Sequence, residues 1–178
     1  MGLPNPKHVR SLPTPVKLRP AAPSDAEGWI TLLEEVAAEG HFIALESVGM
    51  TRRQLARHLR LSSWSDEGAA LVAVSEGVRV VGQLTLVRDR GIYRHTAELG
   101  MSITSAYRGM GLGTAMIEGA FDWARTHRVE KLCLNVFPHN ERAIALYEKM
   151  GFAREGHRSR HAKLSYGYED LIEMAVWV

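Results

Sequence analysis

Between Ala97 and Ala124 an alternating strand runs into three glycines at every second position and then into an amphipathic helix. In Ala97–Thr104, Leu99, Met101 and Ile103 fall on one face and Glu98, Gly100, Ser102 and Thr104 on the other, the period of a strand. Arg108-Gly-Met-Gly-Leu-Gly113 follows, and Met116, Ile117, Ala120, Phe121 and Ala124 then make one helical stripe. Alternate glycines let the backbone take positive φ and let another group approach where a Cβ would block it. Amides of such a turn, next to a helix N-terminus, form an anion site for which pyrophosphate is the natural occupant. The same turn also serves as a plain strand-to-helix connection.

Two other phosphate motifs fit less well. A P-loop needs Gly-Lys-Ser/Thr, and no lysine stands between Gly113 and Thr114. A dinucleotide fold needs G-x-G-x-x-G and an acidic residue closing the next strand. Here the spacing is G-x-G-x-G and that strand ends at Phe137-Pro138.

The flanking sequence alternates strands and helices. Val16–Arg19, Ala69–Val74, Val80–Val87, Leu132–Val136 and Leu171–Val178 read as strands, with turns at Glu76-Gly77 and Tyr166-Gly167. Ser24-Asp-Ala-Glu27 and Thr51-Arg-Arg-Gln54 read as capping boxes. The first opens a helix bearing Trp29, Leu32, Leu33 and Val36, and the second a helix bearing Leu55 and Leu59. A further helix runs from Glu141 to Met150 with Gly151 past its end. Six of the seven prolines lie in the first 23 residues, so we expect an extended arm over 1–14 and one domain over 15–178. Cys133, the single cysteine, is expected in the core and forbids an intrachain disulfide.

With 22 Lys/Arg against 20 Asp/Glu the chain carries a net charge of +2, too even a balance for nucleic acid to be the main partner. No long uncharged apolar run is present, so no membrane partner is expected. The first 20 residues lack an apolar signal core, and Pro6 stands where N-myristoylation requires Ser or Thr. The expected compartment is cytoplasmic.

A second constellation is Asn140-Glu-Arg-Ala-Ile-Ala-Leu-Tyr-Glu-Lys-Met-Gly-Phe152. Asn140 and Tyr147 are two helical turns apart and share a face; Asn140 is also a natural N-cap, and Tyr147 an ordinary packing residue. Taken together, Arg108-x-x-Gly-x-Gly113, Asn140-x-x-Ala143 and Leu146-Tyr-Glu-Lys-x-Gly-Phe152 closely resemble the GNAT superfamily of N-acetyltransferases, with the matching region running from Ala97 to Phe152. That resemblance implies an α/β fold: a mixed, mostly antiparallel sheet of six to seven strands and four helices, with two central strands splayed around acetyl-CoA.

It also implies roles. The backbone of Met101, Ser102 and Ile103 would pair with the pantetheine arm. The amides of Arg108, Gly109, Met110, Gly111, Leu112, Gly113 and Thr114 would hold the pyrophosphate. Asn140 would reach the pantetheine, and Tyr147 would protonate the leaving thiolate. Glu98, ten residues before Arg108, stands where family members carry a glutamate used as base; a solvated glutamate is the plain alternative. Glu34, Glu35, Glu39, His41 and Phe42 fall where the acceptor site is usually lined. The stretch Arg154–Lys163, with four Lys/Arg and two His, reads as an exposed strand or as a contact for the CoA 3′-phosphate. No metal site is expected. The implied activity is acetyl transfer from acetyl-CoA to a primary amine of a small molecule, such as an amino acid, a polyamine or an antibiotic-like amine. Protein N-terminal or lysine acetylation and a non-catalytic acyl-CoA-binding module are the alternatives. The expected assembly is a homodimer.

Overall fold

The computed structural model describes residues 15–40, 49–62, 64–77 and 79–178. The arm over 1–14, His41 and Phe42 lie outside them. In chain order the elements are β1 (Val16–Pro20), a 3-10 turn (Pro23–Asp25), α1 (Ala26–Ala38), α2 (Arg52–Ser62), β2 (Trp64–Ser65), β3 (Gly68–Ser75), β4 (Arg79–Arg88), β5 (Thr96–Ile103), α3 (Leu112–Thr126), β6 (Lys131–Val136), α4 (Glu141–Lys149), β7 (Ala153–Leu164) and β8 (Gly167–Trp177). The sheet order is β1-β3-β4-β5-β6-β8-β7, with the two-residue β2 added beside β3. Among the described residues only β5 and β6 run parallel, and every other pair is antiparallel.

Strand parity sorts the side chains into two layers. Leu84, Leu86, Ala97, Leu99, Leu132, Leu134 and Met174 point to one face, where Met116, Ile117, Ala120 and Trp123 of α3 cover them. Trp123 is fully buried, and its indole N–H donates to the Ser65 carbonyl at 3.0 Å, which satisfies the polar atom such a residue carries inward. On the other face, Ala70, Val72 and Val80 are covered by Trp29, Leu32 and Leu33 of α1 and Leu55 and Leu59 of α2. Burying each such large side chain contributes roughly 1.5–3 kcal/mol before ordering costs.

The helix starts differ in how they form. At α2 the reciprocal box is present: Thr51 N–H donates to Gln54 Oε1 at 2.8 Å, and Gln54 N–H to Thr51 Oγ1 at 3.3 Å. At α1 the expected Ser24–Glu27 box does not form. Asp25 instead accepts the Ala22 N–H at 2.7 Å and holds Arg19 with both oxygens at 2.7 Å, because the 3-10 turn starts the helix earlier. Cys133 also departs from expectation. It is half-buried beside Glu98 on the second face, since strand alternation gives the inward positions to Leu132 and Leu134. Burial raises its thiol pKa; the nearby Lys131 ammonium pulls the other way.

Candidate active site

β5 and β6 pair only at Thr96↔Lys131, Ala97↔Leu132 and Glu98↔Cys133. Beyond that point Leu99–Ile103 stays with β4, while Leu134–Val136 stays with β8. The two strands therefore diverge. Among the described residues no strand pairs the β6-facing edge of Met101–Ile103. A cleft of about 670 Å³ fills the gap and opens onto both faces of the sheet. On the α3–α4 side its lining includes Leu99, Met101, Ile103, Gly109, Gly113, Leu146 and Tyr147. On the other side it is lined by Leu33, Val36, Gln83, Thr85, Ser102 and Asn135.

The glycine turn has the geometry its sequence implies. Gly109 and Gly111 take φ of 77° and 88°, and Gly111 is the left-handed N-cap of α3. The first helical bond runs from Ala115 N–H to the Gly111 carbonyl at 3.1 Å, which leaves the amides of Leu112, Gly113 and Thr114 as the open N-terminus of the helix. A Cβ on Gly113 would stand 2.7 Å from Leu146 Cδ2, so a side chain there would force Leu146 of α4 to move. A Cβ on Gly109 would meet Arg142 Nη2 at 2.5 Å. Arg142, in the first turn of α4, thus brings a guanidinium over the turn. A tight cradle of outward amides beneath a cation fits a bridging pyrophosphate.

Arg108 is placed otherwise. Its Nε donates to the Ile103 carbonyl at 2.7 Å, and its Nη atoms reach the Glu39 carboxylate at 2.5 and 3.0 Å. The side chain ties the end of β5 to the end of α1, while its residue lines the cleft. Met110, Gly111, Leu112 and Thr114 complete the turn without lining the cleft.

Asn140 lines the cleft and caps α4, its Oδ1 accepting the Ala143 N–H at 3.2 Å. Tyr147 lies two turns on, 6% exposed, at the cleft wall. Burial pushes its phenol up to about 12, so it keeps its proton throughout the neutral range. Glu98 is exposed and stands outside the lining, but Asn135, which does line the cleft, donates from Nδ2 to Glu98 Oε1 at 3.3 Å.

The remaining candidates are engaged elsewhere. Glu35 pairs with Arg79 at 2.6 Å, and Glu34 is exposed on α1. The basic stretch forms exposed β7, whose His157 meets Asp170 at 2.9 Å and whose Arg158 pairs with Glu173. Gln83, Asn135 and Arg142 are among the lining residues that the motifs do not mark. For Gln83 a signal exists: Gln83 and Thr85 interrupt the apolar run of β4 at one parity. Arg142 carries none, because its place over Gly109 arises only in the folded chain.

A family profile described as "Acetyltransferase (GNAT) family" matches residues 29–152, well over half of the chain. The L-amino acid N-acetyltransferase AaaT of Escherichia coli K12 is 37% identical over 110 residues, covering 59% of this chain and 65% of that protein. A spermidine N(1)-acetyltransferase of Vibrio cholerae is 30% identical over 98 residues, covering 54% of this chain and 56% of that protein. The matches thus span less than two thirds of those proteins' own lengths. A solved structure, a GNAT-family acetyltransferase from Streptococcus pneumoniae, superposes with a TM-score of 0.84 at 28% identity, over 92% of this chain and 100% of that one.

Proposed function

The chain belongs to the GNAT acetyltransferase family, and from that premise we propose that it transfers the acetyl group of acetyl-CoA to the primary amine of a small molecule. The observation that carries the reading is the cleft between β5 and β6, which joins the glycine turn and Tyr147 on one face to Leu33, Gln83 and Asn135 on the other. Similarity to proteins named for an amino acid and for spermidine favours a small amine as acceptor.

Acetyl-CoA, when bound, supplies an electrophilic thioester carbonyl and a thiolate leaving group. The amides from Gly109 to Thr114, with Arg142 above them, neutralise the pyrophosphate charge. The edge of Met101–Ile103 that β6 leaves, where Arg108 takes the Ile103 carbonyl, offers its other backbone groups to the pantetheine amides and an N–H to the developing oxyanion. An alkyl ammonium, with a pKa near ~10.4, must lose a proton before it attacks. Glu98, held by Asn135, takes that proton through water at the cleft mouth. Tyr147 gives its proton to the leaving sulfur. Cytoplasmic residence and a homodimer belong to the same proposal; a chain with one cysteine has no disulfide to lose in a reducing compartment.

The test is release of free thiol from acetyl-CoA over a panel of amino acids, polyamines, aminoglycosides and peptides. Turnover with one or more of the small amines is the expected result. Turnover with peptides alone would move the acceptor to proteins, and none at all would leave acyl-CoA binding without transfer.

A further inference from the structure

Gln83 sits in β4, opposite Val72 of β3 and Ser102 of β5, with its side chain on the face that α1 covers. It is 7% exposed and lines the cleft. Its Oε1 has no hydrogen-bond partner, and among the described residues it is the one fully buried side-chain oxygen or nitrogen in that condition. Leu33 and Val36, which line the cleft on this side, are buried and apolar, and the nearby hydroxyl residues Thr85 and Ser102 do not bond to that oxygen.

An unmatched amide oxygen is costly to bury, and a methionine of similar volume would fill the same space without that cost. The position therefore makes sense when a bound molecule supplies the missing donor. Rotation about the terminal torsion of glutamine is soft, so the oxygen can swing from the wall into the cleft. The register also places the group well. Ser102, its partner across the strands, is the middle residue of the Met101–Ile103 edge along which the thioester is proposed to lie.

We infer that Gln83 is a specificity-determining residue of the acceptor pocket, whose side-chain oxygen accepts a hydrogen bond from an N–H of the incoming primary amine. The inference rests on the proposed amine acceptor and adds the residue that reads it. A nitrogen whose lone pair is directed at the thioester carbon still carries two N–H groups. Gln83 takes one of them, which orients the lone pair without adding charge. A site built in this way rejects an isosteric acceptor lacking the donor, because the buried oxygen is then left unpaired.

The test compares Gln83→Met and Gln83→Glu with wild type, using the small amine that wild type acetylates fastest and varying amine and acetyl-CoA separately. Gln83→Met should raise the amine KM by about 10- to 100-fold, the loss of one hydrogen bond to a charged or activated partner. Its acetyl-CoA KM should stay within about twofold, since the cofactor contacts are untouched. Its Tm should equal or exceed that of wild type, because an orphan polar group has been removed. Gln83→Glu keeps an acceptor oxygen and should hold the amine KM within about threefold. An unchanged amine KM in Gln83→Met overturns the inference, as does a Gln83→Met protein that melts early or fails to fold, since Gln83 would then be structural. If wild type acetylates no small amine, the amine reading itself has failed and this inference falls with it.

Discussion

Phe152 donates its backbone N–H to the Tyr147 carbonyl at 3.0 Å and sets its ring 5.6 Å from the Tyr147 ring. Gly151, with φ of 92°, bonds to Glu148 at 3.0 Å, and the two bonds together close α4 in a Schellman cap. The Tyr-Glu-Lys-x-Gly-Phe run is therefore a device that fixes the orientation of the tyrosine at the cleft wall.

Tyr147→Phe keeps the ring contact with Phe152 and removes only the hydroxyl. Because burial pushes the phenol up to about 12, wild-type Tyr147 is a protonated donor throughout the neutral range. The substitution should lower kcat by ~10²–10⁴-fold with little change in acetyl-CoA affinity. Steady-state kinetics with a melting curve check it; a kcat within about twofold of wild type would reduce Tyr147 to packing.

Gly151→Ala tests the cap. A Cβ there would lie 3.6 Å from Val176 Cγ2, an ordinary contact, so the penalty is the positive φ. We expect a loss of about 1–2 kcal/mol in urea unfolding and a lower kcat as Tyr147 loses its fixed orientation. Unaltered stability would show that the cap is not strained by a side chain.

Acid stability should track Arg19 and Asp25. Burial pushes the Asp25 carboxyl up, but hydrogen bonds from Arg19 and from the Ala22 amide, with the Arg19 charge, outweigh it and leave its pKa lowered. A carboxyl lowered in the folded state adds stability at neutral pH, which is lost as pH falls below the unfolded value of ~3.9 and through the folded one. Arg19→Met should cost about 3 kcal/mol at pH 7 by leaving a buried carboxylate unpaired. It should also flatten the loss on acidification. Urea midpoints at neutral and acid pH measure both effects, and an acid slope as steep as that of wild type would contradict the assignment.

Glu98→Gln keeps shape and the contact with Asn135 but cannot take a proton. Its kcat deficit should be largest near neutral pH and should narrow as pH approaches the amine pKa of ~10.4, where free amine is abundant. A pH–rate profile parallel to that of wild type would remove Glu98 from the proton path.

The sequence was most legible where local rules act alone. Alternation in Ala97–Thr104 marked the faces of β5, and the helical stripe after Gly113 marked the buried side of α3. The glycines with positive φ, the Thr51–Gln54 box and the end of α4 at Gly151 are likewise local. Long-range partners were not legible. β2 is held by Trp123 of α3, and Arg108 is bound to Glu39, sixty-nine positions earlier. The misplaced cap at α1 has the same origin, since Asp25 is held by Arg19 across the strand end. Gln83 and Asn135 entered the site because β5 and β6 part after three pairs, and parity alone does not reveal where two strands separate.

The most direct test of acetyl transfer is mass spectrometry of wild-type protein incubated with acetyl-CoA and the small-amine panel. The account predicts an N-acetylated small amine formed in equal amount with free CoA, and no such product when Gly111 is replaced by leucine. Acetyl-CoA left intact with every amine, or cleaved with the acetyl group recovered only as acetate, would contradict it.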